Sequence, residues 1–266
     1  MKSAIALLAV VGLTAAANAQ LSFTGGTITQ NFDGLPATTG SGSSTVTVTG
    51  RGGHALSSGF TAATGVAGWQ GANFGGSSSN TEFRAQDGSL SGSNGRGVVS
   101  FGAAGSSDRA LGALATSNQI NAFGLVLRND TSETITFFTL SYFGEQWRRG
   151  DVPSPNTLAF FYGIGSGLAS TGLTAATSLN FVAPNATAAA NTGIDGNAAG
   201  NRTLVTGTIT GLNWAPGTSL VLQWNAQDQS GQDDGLAIDD LTFVVPTPGA
   251  AAMLGLGALV AGRRRR

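Results

Sequence analysis

From Thr27 to Val244 the chain repeats one pattern. Short runs of β-branched and aromatic residues, apolar and polar by turns, are separated by Gly, Asn, Asp and Ser. Period-two alternation puts successive side chains on opposite faces of a strand. On this signal strands are predicted over 27–32, 44–49, 98–101, 110–114, 120–127, 134–143, 158–164, 179–182, 204–210, 220–224 and 236–244. The Gly/Ser/Asn-rich stretch 50–95 is interrupted by Trp69, Phe74 and Phe83, which predicts ordered loops with a strand or two rather than a free linker. No segment carries an amphipathic helical period, and no internal repeat points to a propeller or solenoid. About eleven strands without a helix predict an all-β fold, a jelly-roll-like β-sandwich.

The two ends break this pattern. Lys2 precedes an apolar run from Ala4 to Leu13, and Ala17-Asn18-Ala19 matches a small-residue cleavage site. Residues 1–19 are therefore expected to be a secretory signal peptide, carried to the Sec translocon and cut by signal peptidase before Gln20. At the other end Pro246-Thr247-Pro248 precedes an apolar stretch to Gly262, closed by Arg263, Arg264, Arg265 and Arg266. That stretch is shorter than the roughly 20 residues of a full span, and terminal arginines hold their end on the cytoplasmic side. The expected organisation is a β-sandwich domain over 20–244 outside the membrane, and a short transmembrane-type helix within an anchor segment over 245–266.

The order of proline-rich tripeptide, short apolar helix and arginine cluster resembles the PEP-CTERM sorting signal. Family tails usually carry Pro-Glu-Pro, and here Thr247 stands at the Glu position. The resemblance implies recognition by an exosortase and transient anchoring in the inner membrane. The implied final location is the cell envelope, the cell surface or the extracellular space. Two internal segments, Tyr142 to Arg148 and Gly235 to Phe243, resemble motifs of uncharacterised exported bacterial proteins. Ile238-Asp239-Asp240-Leu241-Thr242-Phe243 also resembles the last strand of concanavalin-like and carbohydrate-binding jelly rolls.

Composition narrows the chemistry. The predicted body holds eight arginines and no lysine against fourteen acids, a net of −6. An acidic body argues against nucleic acid as a partner, since that interface needs a basic footprint. Without lysine there is no Walker-type phosphate loop. Without cysteine there is no thiolate metal site. The single histidine, His54, lies in a Gly-rich segment, and no G-x-S-x-G elbow accompanies it.

Three candidate chemistries remain. Asp228, Asp233, Asp234, Asp239 and Asp240 gather around the last predicted strand, and hard oxygen ligands at a turn suit Ca²⁺. The competing assignment is a solvated turn closing the Trp224 strand onto the final one, or an arginine pair. Strand geometry sends Asp239 and Asp240 to opposite faces. Glu145, with one of these aspartates, offers the two carboxylates that glycoside hydrolysis requires about 5–10 Å apart; its competing assignment is an ion pair to Arg148 or Arg149. Trp214, in a predicted loop, is the candidate platform for a polysaccharide, whereas Trp224 is expected in the core. The expected function is a non-catalytic exported protein of the envelope or extracellular matrix. A carbohydrate-binding module with structural calcium, and a glycoside hydrolase, are the alternatives.

Overall fold

The computed structural model describes residues 20–38, 40, 45–50, 54–56, 66–76, 80–151 and 153–246. The predicted signal peptide lies outside them, as do Thr247, Pro248 and Arg263 to Arg266; of the predicted sorting residues only Pro246 falls inside. No helix among the described residues is long and apolar enough to cross a membrane.

The described chain is nearly all β and forms two sheets. One contains β1 (Leu21–Phe23), β4 (His54–Ala55), β5 (Trp69–Asn73), β9 (Ile120–Asn129), β11 (Thr157–Ile164), β12 (Thr174–Ala175), β13 (Phe181–Val182) and β16 (Ser219–Gln227). The other contains β2 (Gly26–Gln30), β3 (Thr45–Gly50), β6 (Asn80–Gln86), β7 (Gly97–Phe101), β8 (Ala110–Leu114), β10 (Ile135–Arg149), β14 (Thr192–Gly193), β15 (Arg202–Trp214) and β17 (Gly235–Val245). A four-residue helix, α1 (Gly92–Gly95), and a 3-10 turn at Thr177–Leu179 are the helical pieces described.

Long strands carry the architecture, because each is flanked on one side by two shorter ones. On one side of β17 lies β10, and on the other β2 covers its C-terminal half while β8 covers its start. Likewise β9 has β16 on one side and β5 and β1 on the other. Val245 pairs with Gly26, so the start of β2 and the end of β17 lie at the same end of their sheet.

The core lies between the sheets. Alternate residues Phe138, Leu140 and Tyr142 of β10 face Leu222 and Trp224 of β16, and all are buried. Trp224 is the hub: it stacks on Phe123 and Trp69 and meets Tyr142 edge-on at 5.6 Å across the two sheets. Each such aromatic pair adds about 0.5–1.5 kcal/mol beyond its buried area. The Tyr142 hydroxyl donates to the Leu179 carbonyl at 2.6 Å, tying β10 to the 3-10 turn. Smaller clusters cover the outer faces, one around Trp147 with Phe101, the other under Leu168.

Strand alternation locates most elements but underestimates their length. β10 runs through Gly144-Glu145-Gln146-Trp147 to Arg149 because pairing with β15 and β17 continues past the alternating run, and β15 extends to Trp214 through a last pair with Ile135. The segment 228–234 is not a hairpin turn: β16 and β17 belong to different sheets, so it crosses from one to the other.

Candidate functional site

Outward-facing residues of β10 alternate as Phe143, Glu145 and Trp147. Arg202 lies directly opposite Glu145 in the β10–β15 ladder, and Asp239 opposite Phe143 in the β10–β17 ladder. Three strands distant in sequence thus bring two carboxylates and a guanidinium together. A bulge completes the group. Between Ser141 and Phe143 of β10, β17 inserts an extra residue, and Asp240 takes a left-handed backbone with φ of 48°. This kink overrides plain alternation, so Asp239 and Asp240 both approach Arg202 instead of pointing to opposite faces.

Arg202 Nε lies 3.0 Å from Glu145 Oε1, and its NH2 lies 2.7 Å from Asp240 Oδ2 and 4.0 Å from Asp239 Oδ2. The guanidinium rests 3.8 Å above the Phe143 ring, a cation–π contact. Glu145 Oε2 accepts a hydrogen bond from Trp147 Nε1 at 3.0 Å. Glu145 and Asp239 are buried, and Asp239 Oδ1 has no hydrogen-bond partner.

Burial is the largest influence on both acids. It raises Glu145 to about 7, against the lowering effects of the Trp147 hydrogen bond and Arg202. It raises Asp239 to about 8, with the Asp240 backbone N–H opposing and the charges of Glu145 and Asp240 adding to the rise. One arginine cannot neutralise three neighbouring carboxylates, so protons stay on the pair near neutral pH.

The ion-pair partner of Glu145 is therefore Arg202, not Arg148 or Arg149. Arg148 donates instead to the carbonyls of Gly88 and Ser89, and Arg149 lies 3.6 Å from Asp234. Sequence reasoning missed Arg202 because its relation to Glu145 exists only through the β10–β15 register.

Beside this cluster is a cavity of about 310 Å³, lined by Asp87, Ser89, Trp147, Ile194 and Asp195 among others. Trp147 forms its wall, stacked on Phe101 and held against Gly196. Neither Glu145 nor Asp239 lines it. The two carboxylates proposed as acid and base do meet, but behind Trp147 and beneath Arg202 rather than across an open cleft.

The five aspartates divide. Asp239 and Asp240 belong to the Arg202 cluster. Asp234 accepts from the Gly150 and Asn156 backbone N–H groups at 2.7 and 3.2 Å, fixing the turn after β10. Asn156 closes the other half of this clamp, donating to Asp233 Oδ1 and accepting from the Asp234 N–H, both at 2.8 Å. Asp233 also accepts from Gln229 N at 3.1 Å, beside Asp228, whose Oδ2 takes the Asn118 N–H. Asp233 Oδ2 is buried without a partner, and burial first, with Asp228 adding, raises this carboxyl to about 7. Among the described residues no group of three or more acidic or histidine side chains is placed to hold a metal. Asp233 and Asp239 each keep one unpartnered oxygen, and Asp239 has Arg202 beside it whereas Asp233 has Asp228.

Trp214 corrects an expectation. It is fully buried at the end of β15, stacks on Phe23 at 5.4 Å and donates its N–H to the Thr218 carbonyl. A ring packed this way offers no face to a sugar.

No family model matches the chain, and no curated protein matches it. Among solved structures it is similar to the K1 cleaved adhesin domain of Lys-gingipain from Porphyromonas gingivalis W83, at 14% identity and TM-score 0.37, covering 84% of this chain and 100% of that one. It is also similar to TmCBM27, a carbohydrate-binding module that recognises mannan, at 13% identity and TM-score 0.31 over 59% of this chain and 84% of that one. TmCBM61, solved with β-1,4-galactotriose, gives 8% identity and TM-score 0.28 over 52% and 72%. Similarity at this level carries no argument about ligand or activity, and function rests on the chain's own geometry.

Proposed function

We propose that this protein is an exported, non-catalytic jelly-roll-like sandwich of the cell envelope or extracellular matrix, delivered through its PEP-CTERM-like tail. The observation that carries this reading is the placement of the body's C-terminal end. The last strand, β17, ends at Val245, one residue before Pro246 of the predicted tail. The chain leaves β17 beside Gly26, at the end of the sheet where β2 begins. A tail rooted there holds the body at the membrane by one pole and leaves the opposite pole outward. The acids suited to catalysis are engaged internally, Glu145 by Trp147 and Arg202, Asp234 by backbone N–H groups.

Cell fractionation tests the sorting half. The full chain is expected in the membrane or surface fraction, and a chain ending at Val245 in the medium; retention of the shortened chain would overturn the role of the tail. Hydrolysis of a polysaccharide by the purified protein, lost in Glu145→Gln, would overturn the non-catalytic half.

A second reading, a sugar-binding module, is favoured by the cavity beside Trp147. Its volume lies at the lower end of small-molecule sites, and Asp87, Ser89 and Asp195 supply polar groups for hydroxyls. Calorimetric titration with soluble polysaccharides checks it: binding that weakens at least tenfold in Asp195→Asn supports the site, and no heat with any of them removes it.

A further inference from the structure

β15 is an open edge of unusual length. Among the described residues this thirteen-residue strand pairs with β10 alone, in unbroken register from Arg202 to Thr210 and, past a bulge, again at Trp214. The neighbouring short strands β12, β13 and β14 have two residues each, which is one way a fold limits edge pairing. Charge, proline, bulges and coverage are the others. After Arg202, β15 carries no charge and no proline as far as Trp214. The 3-10 turn touches it only at the inward side, where Leu179 packs on Gly207. At Gly211 nothing lies within 4 Å of where a Cβ would be.

Ile164, Val182 and Leu204 are the exposed large hydrophobics among the described residues, and Leu204 lies on this edge strand itself. An exposed apolar side chain on an edge strand favours protein contact.

We propose that the β15 edge is a self-association surface, on which β15 of a second copy adds antiparallel about a two-fold axis. The two nine-stranded sheets then become one continuous sheet. Two features select a second copy as the occupant. First, the body is acidic, and an uncharged edge lets two copies meet without like-charge contact. Second, the edge is self-complementary. Thr206, Thr208 and Thr210 alternate on the outer face, so two-fold antiparallel pairing that keeps this face outward sets threonine beside threonine. The chain already makes that pair internally, with Thr139 and Thr208 hydroxyls 2.9 Å apart across β10 and β15. Backbone N–H and C=O groups along the free edge supply the ladder, and a closed two-fold dimer leaves no growing end. This inference is independent of the sorting and sugar-binding readings.

The chain has no cysteine, so single substitutions report the contact directly. Full-length mature protein in detergent carries Leu204→Cys, Thr206→Cys, Thr208→Cys or Thr210→Cys in turn, with Thr27→Cys on β2 as the remote control. Under mild oxidation the position nearest the two-fold axis forms a disulfide-linked dimer, and Thr27→Cys does not. In sedimentation the unmodified chain has twice the protein mass of a Thr206→Lys/Thr208→Lys variant with unchanged melting temperature. No cross-link above the Thr27→Cys background overturns the proposal. So does a folded lysine variant that keeps the dimer mass, which would place association in the tail. The cysteine series decides the matter even where the lysines lower stability.

Discussion

Arg202 faces Glu145 across the β10–β15 ladder with Nε 3.0 Å from Oε1, yet neither atom makes an aligned hydrogen bond. The contact is an ion pair held by position, and Arg202 divides itself among Glu145, Asp239 and Asp240. Removing it strands buried carboxylates, which costs more than an exposed pair would. Arg202→Ala is expected to lower stability by about 3 kcal/mol at pH 8. The loss shrinks at pH 5, where the acids are protonated. Denaturant titration at the two pH values checks this, and an equal loss at both would contradict it.

The pH profile of the protein itself follows from the same burial. Glu145, Asp233 and Asp239 are raised to about 7, 7 and 8, each chiefly by burial. A carboxyl raised in the folded state binds more protons folded than unfolded from about pH 4 up to its folded value. Stability from these groups is full below that window and lost as pH rises through it. Burial is the largest single influence on Glu82, but the hydrogen bonds and charges of Arg96 and Arg84 together outweigh it and lower this carboxyl, which acts the other way at acid pH. Urea midpoints are expected to fall from pH 5 to 8, with a shallower fall in Asp239→Asn. A rise over that range would refute the assignment.

Gly88 has φ of +88° and lies against the Trp147 carbonyl, which an added Cβ would strike. Gly211 has φ of +73° with open space around it. Gly88→Ala combines strain with a backbone clash and is expected to cost about 3 kcal/mol or more; Gly211→Ala costs about 1 kcal/mol from conformation alone. Thermal melts of the two variants separate steric from conformational cost.

Trp214→Ala removes a buried ring from between Phe23 and Phe243. A loss of about 3–5 kcal/mol in stability is expected, with no change in any sugar affinity. A folded variant with selectively weakened sugar binding would restore Trp214 as a ligand platform.

For calcium, the prediction is confined to two residues. A Ca²⁺ site at Asp228 and Asp233 would raise stability by about 2.7 kcal/mol with the ion in hundredfold excess over its Kd, and EDTA would reverse the rise. Asp233→Asn abolishes it, while Asp240→Asn leaves it intact. A melting temperature indifferent to Ca²⁺ removes the calcium assignment from Asp228 and Asp233.

Local alternation was enough to read the all-β class and the positions of most strands, because a pleated strand writes its two faces into adjacent residues. Ala110–Leu114 reads identically in sequence and structure, and Trp224 is core on both readings. Other features depend on residues far apart in the chain. Arg202 reaches Glu145 only through the β10–β15 register, and the bulge at Asp240 turns two adjacent acids toward one cation. The 228–234 segment joins two sheets rather than two strands, which splits one acidic run into separate sites. Trp214 looked like a loop residue because its burial comes from Phe23, nearly two hundred residues away in sequence. Periodicity is a local property of the chain, whereas ion pairing and burial belong to the ladder and the packing that tertiary structure creates.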